Sequence, residues 1–113
     1  MASLDRVRET GLLTIRVERE DDALIVHASG ELDLASGKEF ESELTRAIRS
    51  SVSGVVLELR GVTFIDSSGL RALLAGAKLS SKIGRRLRIL RGSSSVRRAI
   101  EVSGLEGSLP LVE

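Results

Sequence analysis

A chain of 113 residues with 42% hydrophobic and 29% charged content can fill one core but not two, so a single globular domain is expected. Seventeen basic and sixteen acidic residues leave a formal charge of +1, and no overall field draws the chain to nucleic acid or anionic lipid. Two phenylalanines without Tyr or Trp, one histidine and no cysteine exclude base-stacking platforms, disulfides, thiolate redox chemistry and a histidine-rich metal centre.

Residues 1–11 mix charged and apolar side chains, lack the apolar core of a signal peptide and end in Gly11. They are expected to form an N-terminal tail, with the domain proper over 12–113. No apolar run approaches the ~18 residues of a membrane span, so the cytoplasm is the expected compartment. Leu13, Ile15 and Val17 alternate with Thr14, Arg16 and Glu18, the period of a half-buried strand. Asp21-Asp22 supplies a turn into a second strand over 23–28, and this hairpin ends at Gly30-Glu31-Leu32-Asp33. Phe40, Leu44, Ala47 and Ile48 recur at helical spacing, which predicts a helix from near Leu34 to Ser50 with Asp33 or Ser36 as its cap. Gly54 then opens an apolar strand over 55–59, of the kind covered on both faces.

The next stretch organises the chain. Val62-Thr63-Phe64-Ile65 stops at Asp66-Ser67-Ser68-Gly69, and Leu70, Leu73, Leu74 and Ala77 resume at helical spacing to about Ser81. Gly84 is placed to end that helix in a left-handed cap. A short strand follows over 86–90. Ser93 or Ser94 caps a third helix carrying Val96, Ala99 and Ile100, and Gly104 with Leu105 suits a Schellman-type end. Residues 109–112 are a last extended piece, placed at a sheet edge because Pro110 cannot donate to a ladder.

The order β-β-α-β-α-β-α-β predicts an α/β fold: a mixed sheet of about four or five strands, opened by a hairpin and covered by helices through right-handed crossovers. The segments ending at Asp33 and at Asp66-Ser67 each follow a strand and precede a helix. They should share one end of the molecule, where such sheets carry their functional loops.

Several chemistries can be weighed against these residues. A triad of Ser67, His27 and Asp33 lacks the G-x-S-x-G elbow, and His27 sits within a strand on the face opposite Leu24 and Val26, so it is discarded. Asp21 and Asp22 read as turn residues rather than as magnesium ligands for an acceptor Asp66. No nucleotide-binding glycine loop is present, and no cofactor is expected. Arg85, Arg86, Arg88, Arg91, Arg97 and Arg98 form the most basic region, read as a solvated face ahead of a minor patch for an acidic partner or anionic lipid. Ser67 keeps two readings, a helix N-cap and a site of modification, and spacing alone favours the cap.

Gly30-Glu31-Leu32-Asp33 together with Val62-Thr63-Phe64-Ile65-Asp66-Ser67-Ser68-Gly69-Leu70 resembles the anti-sigma factor antagonists, the single-domain branch of the STAS family. The likeness runs over roughly residues 12–112 in the same element order. It implies a non-enzymatic regulator that binds an anti-sigma factor with serine kinase activity and is released when that kinase phosphorylates it. A PP2C-type phosphatase would reverse the switch. The implied acceptor is Ser67, with Ser68 the less favoured neighbour. The implied partner surface comprises Glu31, Asp33, Asp66, Ser67, Ser68, Gly69, Leu70 and Arg71. A free monomer that neither binds nucleic acid directly nor spans a membrane is expected. The family usually adds a helix after the last strand, and this chain departs from it by stopping at Glu113. A second reading keeps the fold and makes the chain an unphosphorylated structural subunit of an ABC-type lipid transport complex. A hydrolase is disfavoured, since no base is placed near Ser67.

Overall fold

The alternation of Leu13, Ile15 and Val17 produces the expected hairpin, and a further strand precedes it. The computed structural model describes residues 2–112. Among these, β1 (Ser3–Thr10), β2 (Leu13–Glu20), β3 (Ala23–Leu32), β4 (Gly54–Ile65), β5 (Leu87–Leu90) and β6 (Leu111–Val112) form one sheet in chain order. The first three strands are antiparallel neighbours, and the ladders from β3 to β6 are parallel. Three helices complete the fold: α1 (Gly37–Ser50), α2 (Ser67–Ile83) and α3 (Ser94–Ser103).

The segment read as a tail is therefore an edge strand, and the sheet has six strands rather than four or five. The reason lies in its inward face. Arg6 pairs with Val17, Arg8 with Ile15 and Thr10 with Leu13, so β1 turns polar side chains toward the helix-covered side of the sheet. Apolar periodicity cannot report such a strand, because its face is completed by acids of α1. Arg6 lies against Glu43, with Nη2 donating to Oε2 at 3.0 Å and Nε 2.9 Å from Oε1, the latter close but not aligned as a hydrogen bond. Arg8 pairs with Glu39 and reaches Glu43 at 3.5 Å. Glu43 is 3% exposed. A carboxylate this deep persists only because cations meet it.

The core lies between the sheet and the helices. Val17, Leu24, Val26, Leu57 and Ile89 of the strands are buried with Phe40, Leu44 and Ile48 of α1, Leu73 of α2, and Val96 and Ile100 of α3. Asp21-Asp22 forms the two-residue turn between β2 and β3, with Asp21 in the left-handed region. Gly84 caps α2 at φ +71°. Gly104 closes α3 with Leu105 N donating to Ile100 O and Gly104 N to Glu101 O, the paired bonds of a Schellman end. β6 is an edge strand following Pro110, as expected.

β3 and β4 are longer than the apolar runs suggest. β3 continues through Gly30 and Glu31 to Leu32 by way of irregular pairing with β4. Gly30 permits this: its φ is +105°, and a Cβ there would lie 2.0 Å from the Leu12 carbonyl oxygen. The two strands thus end side by side, Leu32 opposite Ile65. That register sets the position of the site.

Candidate functional site: two helix starts at one end of the sheet

Because β3 and β4 are parallel neighbours ending at Leu32 and Ile65, Asp33 and Asp66 are each the first residue beyond a strand at the same end. Asp66 N donates to Leu32 O at 3.2 Å, which ties the two exits together. The helix starts also touch. A Cβ on Gly37 of α1 would lie 3.3 Å from the Ser68 Cβ of α2. Gly69 lies deeper, where a Cβ would come 2.6 Å from Ile65 Cγ1 and 2.9 Å from Leu32 O. Only glycine allows α2 to start this close to the strand ends.

The capping question has a definite answer. Asp66 is the N-cap of α2, its Oδ1 accepting from Ser68 N at 2.8 Å and Gly69 N at 3.3 Å. Ser67 is the first helical residue, is exposed, and its hydroxyl has no hydrogen-bond partner among the described residues. The capping reading of Ser67 is corrected: Asp66 does that work and leaves the serine free. Ser68 is half-buried against Gly37.

The cap expected for α1 is also corrected. Ser36 occupies the N-cap position without a side-chain cap bond, and the helix begins at Gly37 rather than near Leu34. Ser36 Oγ instead accepts from Asp33 N at 3.1 Å and donates to Glu31 O at 3.0 Å, stitching the loop together. The Asp33 carboxylate accepts from Ala35 N at 3.0 Å in an Asx-type turn. Its orientation is thereby set without its leaving the surface.

Of the eight residues expected at a partner surface, Ser67 and Arg71 are exposed. Glu31, Asp33, Asp66, Ser68 and Leu70 are half-buried, and Gly69 is buried. Gly69 shapes the site rather than offering a contact. Three exposed apolar residues border the same segments. Leu12 is 67% exposed and accepts a backbone bond from Glu31 N, Leu34 is 82% exposed beside Asp33, and Phe64 is 48% exposed opposite Glu31 in the ladder. Phe64 also lines a shallow cleft with Arg98, Ala99 and Val102 of α3. The sequence reading missed Leu34 and Phe64 as surface residues because an apolar residue at a helix start or strand end is ordinarily turned inward. Exposed apolar side chains grouped around polar ones are the usual mark of a contact surface.

His27 takes no part here. Its Nε2 lies 2.8 Å from Glu18 Oε1, in a polar cleft with Arg16, Glu58 and Arg60 on the other face of the sheet. Within the arginine-rich region, Arg91 pairs with Glu106 at 3.5 Å and Arg97 Nε donates to Gly92 O at 3.1 Å, so the patch is partly neutralised.

A model of the STAS domain family matches residues 14–113. The chain belongs to the STAS domain family. The anti-sigma F factor antagonist of Paenibacillus polymyxa is 32% identical over 102 residues, covering 89% of this chain and 87% of that one. The crystal structure of an anti-sigma factor antagonist from Mycobacterium paratuberculosis superposes with a TM-score of 0.77 at 28% identity, covering 88% and 84% of the two chains. The Bacillus cell fate determinant SpoIIAA in its phosphorylated form shares the fold, with a TM-score of 0.65 at 21% identity over 88% of this chain and 91% of that one. This STAS domain carries β1 ahead of the matched span. No helix of its described residues is long and apolar enough to cross a membrane.

Proposed function

We propose that this STAS domain is an anti-sigma factor antagonist that acts in the cytoplasm. It binds an anti-sigma factor with serine kinase activity when unphosphorylated, and phosphorylation of Ser67 ends that binding. A PP2C-type phosphatase restores the binding form, and transcription is regulated by the exchange of partners. The names of its relatives support the antagonist role. The observation that carries the switch is the Ser67 hydroxyl, exposed at the first position of α2 and free because Asp66 caps the helix.

In the transfer, the Ser67 Oγ–P bond forms as the bond to the γ-phosphorus of ATP breaks. ADP leaves, and the hydroxyl proton passes to a base of the kinase. The product adds about −1.5 to −2 charges at pH 7 beside Asp66, close to the strand exit that carries Asp33. A fitted partner would have to desolvate that dianion, and like-charge contact at an interface costs several kcal/mol. The fold need not change for binding to be lost.

The test uses the anti-sigma factor kinase encoded in the same genome, with ATP. Wild-type protein takes up one phosphate at Ser67 by mass mapping, and S67A takes up none while still binding. S67D binds roughly 100-fold more weakly. Label persisting on S67A, or S67D binding like wild type, overturns the proposal. So does recovery from cells of an unphosphorylated protein bound to a transporter ATPase, the outcome expected of a structural transport subunit.

A further inference from the structure

We infer that Arg71 holds the Ser67 phosphate within the same helix, and that phosphorylation thereby withdraws Arg71 from the partner surface. The inference rests on Ser67 being the acceptor and concerns how the switch is read out.

Ser67 and Arg71 are the first and fifth residues of α2. That spacing places two side chains on one helix face with Cβ atoms about 6 Å apart. The acidic member precedes the basic one, which is the favourable order for such a pair. Both residues are exposed, and neither side chain has a hydrogen bond or ion pair among the described residues. Nothing has to break for the pair to form. Neither neighbouring acid pairs with Arg71 among the described residues; Asp66 Oδ1 accepts from Ser68 N and Gly69 N, and Asp33 Oδ1 from Ala35 N. Leu70, which precedes Arg71, is turned toward the core. A guanidinium suits this task because its planar fork donates two parallel bonds to phosphate oxygens.

Before modification, Arg71 is an exposed donor one turn from Ser67, available to an acidic group of the anti-sigma factor. Afterwards the phosphate occupies it. The modification then removes a cationic contact as well as adding an anionic obstacle. A serine switch without a cation at this spacing would do only the second.

The test needs no partner protein. The full chain is produced with phosphoserine installed at position 67 during translation, and its ³¹P resonance is titrated. A nearby cation favours the dianion and lowers its second pKa, ordinarily about 6, so removing the cation raises the midpoint. R71Q is expected to raise it by about 0.3 pH unit, R71K to retain part of the pairing, and 1 M salt to shrink the difference. Two exposed cations stand on neighbouring elements: Lys38, following Gly37 against Ser68, and Arg98, which shares a cleft with Phe64 and Ile65. An unchanged midpoint in R71Q, or a rise in K38Q without one in R71Q, overturns the inference. Because no kinase is used, this outcome is separate from the acceptor assignment, which the kinase labelling of wild type and S67A tests.

Discussion

Two charged constellations of this STAS domain are built from similar residues and end in opposite conditions. At β1, Arg6 and Arg8 meet Glu43 and Glu39 of α1, with the Glu43 side chain 4% exposed and both of its oxygens facing cations. At the two helix starts, Asp33 and Asp66 are engaged by backbone N–H groups, while Ser67 and Arg71 stand exposed without side-chain partners among the described residues. The first constellation spends its charge within the fold and holds an edge strand in place. The second spends only enough to fix its own loops. Charges satisfied internally are structural, and charges held in fixed orientation but left open are the ones a partner can use.

This contrast can be broken from the structural side first. Glu43→Ala leaves Arg6 and Arg8 without their buried counter-charge and should destabilise the domain by about 3 kcal/mol, at the low end for a buried pair because Arg6 keeps some access to water. Urea titration measures it. A loss well under 1 kcal/mol would show that β1 is not held by this acid. At the open constellation, Asp66→Ala removes the α2 cap and should cost about 1 kcal/mol, whereas Asp66→Asn keeps an acceptor and should cost a few tenths. Equal losses in thermal unfolding would mean that charge, rather than capping, is what Asp66 contributes to the fold. The smallest effect is expected for Arg8→Ala. The side chains of Arg8 and Glu39 are 41% and 42% exposed, so the loss should stay near 0.5 kcal/mol and fade in high salt. A larger, salt-insensitive loss would place Arg8 with Glu43 rather than with Glu39.

The parts of the fold that were legible in the sequence are those held by local chemistry. The β2–β3 hairpin followed from alternating Leu13, Ile15 and Val17 with Asp21-Asp22 at the turn. α2 and α3 ended at Gly84 and Gly104 because a left-handed cap favours glycine wherever it falls. The shared end of the Asp33 and Asp66 segments followed from strand–helix order alone. β1 escaped notice because its inward face is basic, and the acids that complete it lie on α1, more than thirty residues later. The same blindness applied to Leu34 and Phe64, whose exposure depends on where neighbouring turns and α3 lie.

Within the site, the sequence by itself determined that a carboxylate and two hydroxyls stand where an apolar strand gives way to a helix. Each competing role for Ser67 was already implicit in the residue types. Only the tertiary structure assigned the capping role to Asp66. Asp66 takes the two N–H groups of the first turn because the strand exit at Ile65 aims its carboxylate at them. Gly37 lets α1 approach Ser68, and Gly69 lets α2 start against Ile65 and Leu32, while Ser67 stays exposed. Hydroxyl chemistry is written into the chain one residue at a time, but exposure and partnership are properties of packing. They exist only once two segments more than thirty residues apart, one ending at Asp33 and the other at Asp66, are brought side by side.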